Sequence, residues 1–300
     1  MKRLLPVALL AAAPAALAAP VPAARPMTCP VGGGTFVYRP AAPAAVSGER
    51  PDGKPYTNGV VPPPLPECPA NGLVLYKDYD PDEVAKLEPI VASDAYQALR
   101  KEDVQYYRAY WLMKAMGLGP EDYLWVLLQA SWQADDRPEL RARYLAELAE
   151  ASAKVPPRPD DINWIGMEGR AIDALRELGK FDEAQARLAK VPLKGLDVAA
   201  PEPLDASPAA KEARLRRAWL AYFKAMKPAL ERKDASRDPF DLLPRNVALG
   251  RCIDAAGALD EAQKGFCEKE SEGVEQLRLA RAKAEEDLKA LQQSREASGR

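Results

Sequence analysis

Fifteen of the chain's 29 prolines fall within its first 70 residues, and Pro62-Pro63-Pro64 and Pro66 stand just before Cys68. Proline lacks a backbone N–H and fixes φ, so a segment this rich in it forms neither regular helix nor central strand. The short stretches between prolines, residues 34–39 (Gly-Thr-Phe-Val-Tyr-Arg) and 73–76 (Leu-Val-Leu-Tyr), are β-branched and aromatic and predict two short strands. Residues 50–59, Arg-Pro-Asp-Gly-Lys-Pro-Tyr-Thr-Asn-Gly, have turn chemistry throughout. Residues 27–79 are therefore expected to form a small β module.

From Pro81 onward the spacing becomes helical, with Pro81-Asp82-Glu83 placing a proline in the first turn and acids near the positive helix end. Helices are predicted over 81–101, 104–117, 120–133, 138–154, 162–178, 181–190, 208–232, 245–256 and 259–292. Short breaks between them imply antiparallel neighbours. Residues 193–207 read as the longest loop of this part and residues 293–300 as a flexible tail. Leu215, Trp219, Tyr222, Phe223, Met226 and Leu230 share one helix face and are assigned to the core. Val274, Leu277, Ala284, Leu288 and Leu291 form a narrow seam on the last helix. That seam suits a terminal helix laid along the bundle as a cap, with self-association as the other reading.

Lys2 and Arg3 precede an apolar stretch from Leu4 to Leu17, and Ala16-Leu17-Ala18 is a small-x-small cleavage site. This is the pattern of a signal peptide over residues 1–18, removed before Ala19. No later segment is long and apolar enough to cross a membrane, so no integral membrane segment is expected after cleavage. The expected location is periplasmic or secreted.

The chain contains no histidine. Ser-His-Asp and Cys-His catalysis and histidine-ligated zinc are thereby excluded. With Lys plus Arg at 42 and Asp plus Glu at 44, no overall basic field exists to attract nucleic acid. No cofactor motif is present.

Cys29-Pro30-Val31-Gly32-Gly33 and Cys68-Pro69-Ala70-Asn71-Gly72 repeat one pattern that resembles a zinc-ribbon knuckle, Cys-Pro-x-Cys-Gly, with the second cysteine replaced by Gly32 and Asn71. Two thiolates without histidine do not close a zinc tetrahedron. Recruitment of Asp52, Glu67 or Asp78 has no support in their spacing. In a ribbon the knuckles face each other, so the resemblance implies a Cys29–Cys68 disulfide in an oxidising compartment. Cys252 and Cys267 flank Gly257 in adjacent predicted helices, and they form either a second disulfide or two buried thiols.

Leu178-Gly179-Lys180-Phe181-Asp182-Glu183-Ala184 followed by Leu188 resembles the turn and second helix of a tetratricopeptide repeat. Ala256-Gly257-Ala258-Leu259-Asp260-Glu261-Ala262 followed by Phe266 is a second such segment, at a spacing that does not fit a regular array. The expected fold class is mainly α: a helix-hairpin, tetratricopeptide-like repeat domain over residues 80–292, preceded by a small disulfide-stapled β module. The order of export signal, two Cys-Pro-x-x-Gly motifs, Leu75-Tyr76-Lys77-Asp78-Tyr79 and such helices resembles an uncharacterised group of bacterial exported proteins, related to a cytoplasmic family with intact zinc knuckles. The resemblance implies this fold and a Gram-negative envelope location, and no activity.

Tyr96, Tyr106, Tyr107, Tyr110, Trp111, Tyr123, Trp125 and Trp132 cluster in 37 residues. Most sit at helical core spacing. Tyr106 and Trp132, at helix ends, are expected to be partly exposed and are the candidate partner surface. Asp135, Asp136 and Glu168 are the carboxylates nearest Trp132 and Trp164, and without histidine the enzymatic chemistry left is carboxylate-based, such as glycan cleavage with one acid and one base. The favoured reading is a non-catalytic scaffold that binds a protein or peptide of the cell envelope through its helical surface. The alternative is a periplasmic glycan hydrolase or lyase using a carboxylate pair.

Overall fold

Residues 22–297 are described by the structure, a computed structural model. The expected signal peptide, residues 1–18, lies outside them. The strand predicted at 34–39 forms as β2 (Thr35–Tyr38). Its antiparallel partner is β1 (Arg25–Thr28), with Arg25 opposite Tyr38 and Thr28 opposite Thr35. The strand expected at 73–76 does not form: Val74 makes one isolated bridge to Glu67. Side chains satisfy its backbone instead, the Val74 amide donating to the Tyr96 hydroxyl (3.3 Å) and its carbonyl accepting from the Tyr79 hydroxyl (3.1 Å).

The two Cys-Pro motifs share one backbone geometry. The Cys29 amide donates to the Gly34 carbonyl (2.8 Å) and the Gly33 amide to the Cys29 carbonyl (3.1 Å). The same pattern joins Cys68 to Leu73 (2.9 Å) and Gly72 to Cys68 (2.8 Å). Gly33 and Gly72 occupy the left-handed region, with φ of +68° and +73°. The motifs face each other: Cys29 and Cys68 are disulfide-bonded with Cα atoms 5.6 Å apart, and Asn71 Nδ2 donates across to the Val31 carbonyl (2.9 Å). Cys252 and Cys267 are also bonded, tying two helices of the C-terminal part.

Among the described residues twelve α-helices follow. α1 (Pro81–Ala92), α2 (Asp94–Glu102), α3 (Gln105–Ala115), α4 (Pro120–Gln133), α5 (Pro138–Ser152) and α6 (Ile162–Glu177) come first. α7 (Phe181–Leu188), the one-turn α8 (Leu193–Leu196), α9 (Pro208–Glu231), α10 (Arg245–Asp254), α11 (Glu261–Lys269) and α12 (Ser271–Ala297) come after them. The predicted helix at 81–101 breaks at Ser93, whose hydroxyl accepts from the Tyr96 amide and caps α2. The one predicted at 259–292 divides at Glu270, and its second part runs through residue 293 to Ala297, where a tail had been expected.

From α3 to α7 each helix packs on the next, and α9 closes against α6 and α7. One core fills the space among α3, α4 and α5, and a second lies among α6, α7 and α9. The β part has no core of its own, because Cys29, Cys68, Leu73 and Leu75 pack with Leu87, Val91, Tyr96 and Leu112 of α1–α3. The β part and the first three helices thus share one core. The two tetratricopeptide-like segments differ in local structure. Gly179 is a left-handed helix cap, with the Lys180 amide donating to the Leu175 carbonyl, whereas Gly257 lies in a 3₁₀ turn, Ala256–Ala258. α12 contacts α10 and α11 only near its start, and residues 282–294 are exposed on every face. Capping therefore describes its first turns alone.

Loss of the first disulfide gives the first prediction. It closes a 39-residue separation, so Cys29→Ser with Cys68→Ser should cost about 4 kcal/mol in chemical denaturation. The loss should disappear when both proteins are compared under reductant.

Candidate functional site

α6 carries Gly166 and Gly169 one turn apart, and the indole of Trp219 from α9 lies on the flat surface they leave. A Cβ on Gly169 would stand 2.6 Å from Trp219 Cζ3, and one on Gly166 3.0 Å from Cζ2. The Arg170 guanidinium sits 4.9 Å from the Trp219 ring centre and 5.6 Å from that of Tyr222, a cation–π arrangement. Arg170 also donates to the Pro51 carbonyl and pairs with Glu49 (3.3 Å), so the loop around residue 51 holds it in place. Trp125 of α4 is 50% exposed and meets Trp132 edge-on at 5.4 Å.

Trp125, Trp164 and Trp219, with Met167 and Leu215, line a groove of about 520 Å³. A second groove of about 800 Å³ runs on between α5 and α7, and both share Ser152, Val155, Trp164 and Glu168 in their walls. Glu168 is held by Arg187 through Nε (2.5 Å) and Nη2 (2.6 Å).

The loop that fixes Arg170 is itself anchored by buried charge. Arg50 grips Asp52 and reaches Asp135 through Nη1 (2.6 Å) and Nη2 (3.1 Å). Arg141 of α5 donates to Asp52 (3.0 Å), Asp135 (3.0 Å) and Glu177 (2.5 and 2.8 Å). Lys54 adds contacts to Asp135 (2.8 Å) and the Trp132 carbonyl (2.9 Å). Burial works against the Asp52 charge, but hydrogen bonds and charge from Arg50, the charge of Arg141 and the Lys54 amide outweigh it, holding the carboxyl far below its usual range. Asp135 is lowered in the same way, by Arg50 and Lys54 against its own burial.

The candidate surface residues are not at the surface. Tyr106 is 5% exposed and Trp132 3%. The proline-rich segment covers the start of α3, where the Tyr106 hydroxyl donates to the Pro63 carbonyl (2.9 Å) and burial pushes it up to about 12, while Trp132 packs in the core among α3, α4 and α5. The carboxylates do not form an acid–base pair. Asp135 faces a polar cleft with Arg237 and Arg251 and is held by cations, Glu168 is locked to Arg187 beside the tryptophan groove, and Asp136 is exposed on its own. Glu67 is bound by Arg108 (3.0 and 2.7 Å), and among the described residues no group of three or more Asp, Glu or Cys is placed to hold a metal.

Trp219 belongs to the apolar stripe of α9 but only half enters the core, against two glycines. The Gly-x-x-Gly spacing of α6 and the position of Trp125, one residue beyond the buried Leu124, were the legible signals of the groove. No protein-family model matches the chain, and neither a curated protein nor a solved structure does.

Asp52→Asn leaves Arg50 and Arg141 undercompensated and should cost about 3–5 kcal/mol at pH 7. A lowered carboxyl stabilises fully above the unfolded-chain value of about 4 and loses that contribution as pH falls toward the folded value. Thermal melts of the parent should thus decline steeply below about pH 4 while those of the variant change less. Gly169→Ala should lift Trp219 from its seat, costing about 1–3 kcal/mol and shifting tryptophan emission.

Proposed function

We propose that this chain is a non-catalytic binding protein of the bacterial envelope that holds an extended peptide in the tryptophan-lined groove. The observation that carries this reading is the convergence of Trp125, Trp164 and Trp219, from three helices, on one open groove that continues between α5 and α7. Tryptophans offer large, rigid apolar faces at low entropic cost, which suits them to anchor the side chains of an extended chain. Both cysteine pairs are bonded, in keeping with export to an oxidising compartment. The facing Cys-Pro motifs fit a zinc-ribbon relative in which a disulfide and the Asn71 amide occupy the place of a metal. The carboxylate-pair alternative has no support from Asp135 and Glu168, each neutralised by arginine in a separate cavity.

An array of short peptides tiled from envelope proteins tests the proposal. Peptides rich in aromatic and aliphatic residues should bind, with affinity falling about tenfold or more on Trp125→Ala or Trp219→Ala. Val37→Ala, at an exposed site on the β hairpin, should leave it unchanged. No binding, or binding indifferent to both tryptophans, would overturn the reading.

A further inference from the structure

We infer that the polar cleft beside the loop from α9 to α10 binds a small oxyanion, a carboxylate or phosphoryl group held by Arg237 and Arg251. The site is independent of the tryptophan groove. Its walls are Asp135 just beyond α4, Glu177 at the end of α6, Arg237 and Asp238 in the loop, Arg251 on α10 and Gln263 on α11, around a volume of about 360 Å³. Arg237 and Arg251 meet at one atom, Asp238 Oδ2, which lies 3.3 Å from Arg237 Nε and 2.9 Å from Arg251 Nη2. The two guanidinium groups are therefore side by side.

The balance of donors and acceptors sets the sign of the ligand. Both oxygens of Asp52 and of Asp135 accept from Arg50, Lys54 or Arg141, and both oxygens of Glu177 accept from Arg141. Asp238 takes the Tyr56 hydroxyl (3.3 Å) on its other oxygen. Every carboxylate oxygen at the cleft thus has a partner, and none is left for a cation. Donors remain instead. Among the described residues Arg237 makes no hydrogen bond through Nη1 or Nη2, Asp135 Oδ1 standing 3.9 Å from Nη1. Arg251 donates from Nη1 to the Asp238 carbonyl (2.9 Å), and its Nε has no acceptor among those residues. The Gln263 side-chain oxygen caps α11 by accepting from the Asp260 amide (3.0 Å), so its Nε2 is free to donate.

Charge points the same way. In the anchoring cluster Arg50, Lys54 and Arg141 balance Asp52, Asp135 and Glu177, whereas the cleft adds Arg237 and Arg251 against Asp238 alone. The surplus cation lies on the open side, with the Arg237 side chain 42% exposed and that of Arg251 33%. Paired N–H groups on adjacent guanidinium forks suit two oxygens of one group, which strengthens such bonds and fixes their geometry. The loop is also held in shape before any ligand arrives. Arg176, fully buried, donates from Nη1 to the carbonyls of Asp234 (2.6 Å) and Ser236 (2.7 Å), immediately ahead of Arg237, and its own charge is met by Asp173.

Calorimetric titration and thermal melts of the whole chain with inorganic phosphate and, separately, acetate test the assignment, each against sodium chloride at equal ionic strength so that screening is constant. At least one of the two should bind saturably, one to one, with a Kd of about 1 mM or tighter, and raise the melting temperature. Which of them binds identifies the group the site takes. Arg237→Gln should weaken binding about tenfold or more. Gln263→Glu keeps the capping box of α11 while setting a carboxylate at the cleft, and should weaken binding to a similar degree. Arg278→Gln, on α12 and outside the cleft, should leave it unchanged. Unchanged circular dichroism confirms that each variant is folded. Neither heat nor stabilisation with either anion, an equal effect of chloride, or an affinity indifferent to both Arg237→Gln and Gln263→Glu would each overturn the inference.

Discussion

The contacts of Arg50 and Asp52 with Arg141 and Asp135 tie the proline-rich N-terminal segment to the middle of the helical body. They bring an irregular, proline-bounded loop into the seam of α4, α5 and α6, where it would otherwise have no reason to lie. Taking such charges out of water is costly, and only near-complete mutual satisfaction makes the arrangement stable. The cost confers specificity of position: a loop that slips by one residue leaves buried charges unpaired. Much else depends on that fixed position, since Arg170 bonds to Pro51 and Tyr222 donates to the same carbonyl (2.9 Å). The setting of Trp219 thus traces back, through Arg170 and Pro51, to a cluster that never touches the groove.

The groove is a product of absent side chains as much as of present ones. Gly166 and Gly169 lower one face of α6 so that an indole lies flat on it, and Trp125 stands on the outer face of α4 because its neighbours Leu124 and Leu127 take the core positions. Trp219 is the fixed member of this surface, seated on the two glycines and under the Arg170 guanidinium, whereas Trp125 stands half exposed.

Local signals made most of the helical part legible in sequence. Proline at a first turn, glycine at a C-terminus and apolar three-and-four spacing located the starts of α1, α4, α5, α6, α7, α9 and α10 to the residue. The two divided helices were harder, because Ser93 and Glu270 break helices whose apolar pattern runs on across them. β1 escaped detection because Pro26 sits inside it, and a two-stranded edge tolerates a proline that a central strand does not. The seating of residues 49–54 was beyond sequence reading altogether, since turn chemistry says how a loop bends and nothing about what it touches 80 residues away. Exposure was misjudged for Tyr106 and Trp132 for a related reason: a helix end is open only if no other segment crosses it.

The paired Cys-Pro motifs look interchangeable with a four-thiolate site, one substitution away at each of two positions. They are not equivalent, however. Asn71 occupies ordinary backbone, whereas Gly32 has φ of +89°, a conformation that side-chain-bearing residues rarely adopt. Its amide plane is turned relative to that of its counterpart, so installing thiols at 32 and 71 would not by itself assemble a tetrahedral cage; the first loop would also have to flip. The bridge between Cys29 and Cys68 therefore has behind it a first loop whose backbone at position 32 favours glycine over any residue that carries a side chain, a cysteine included.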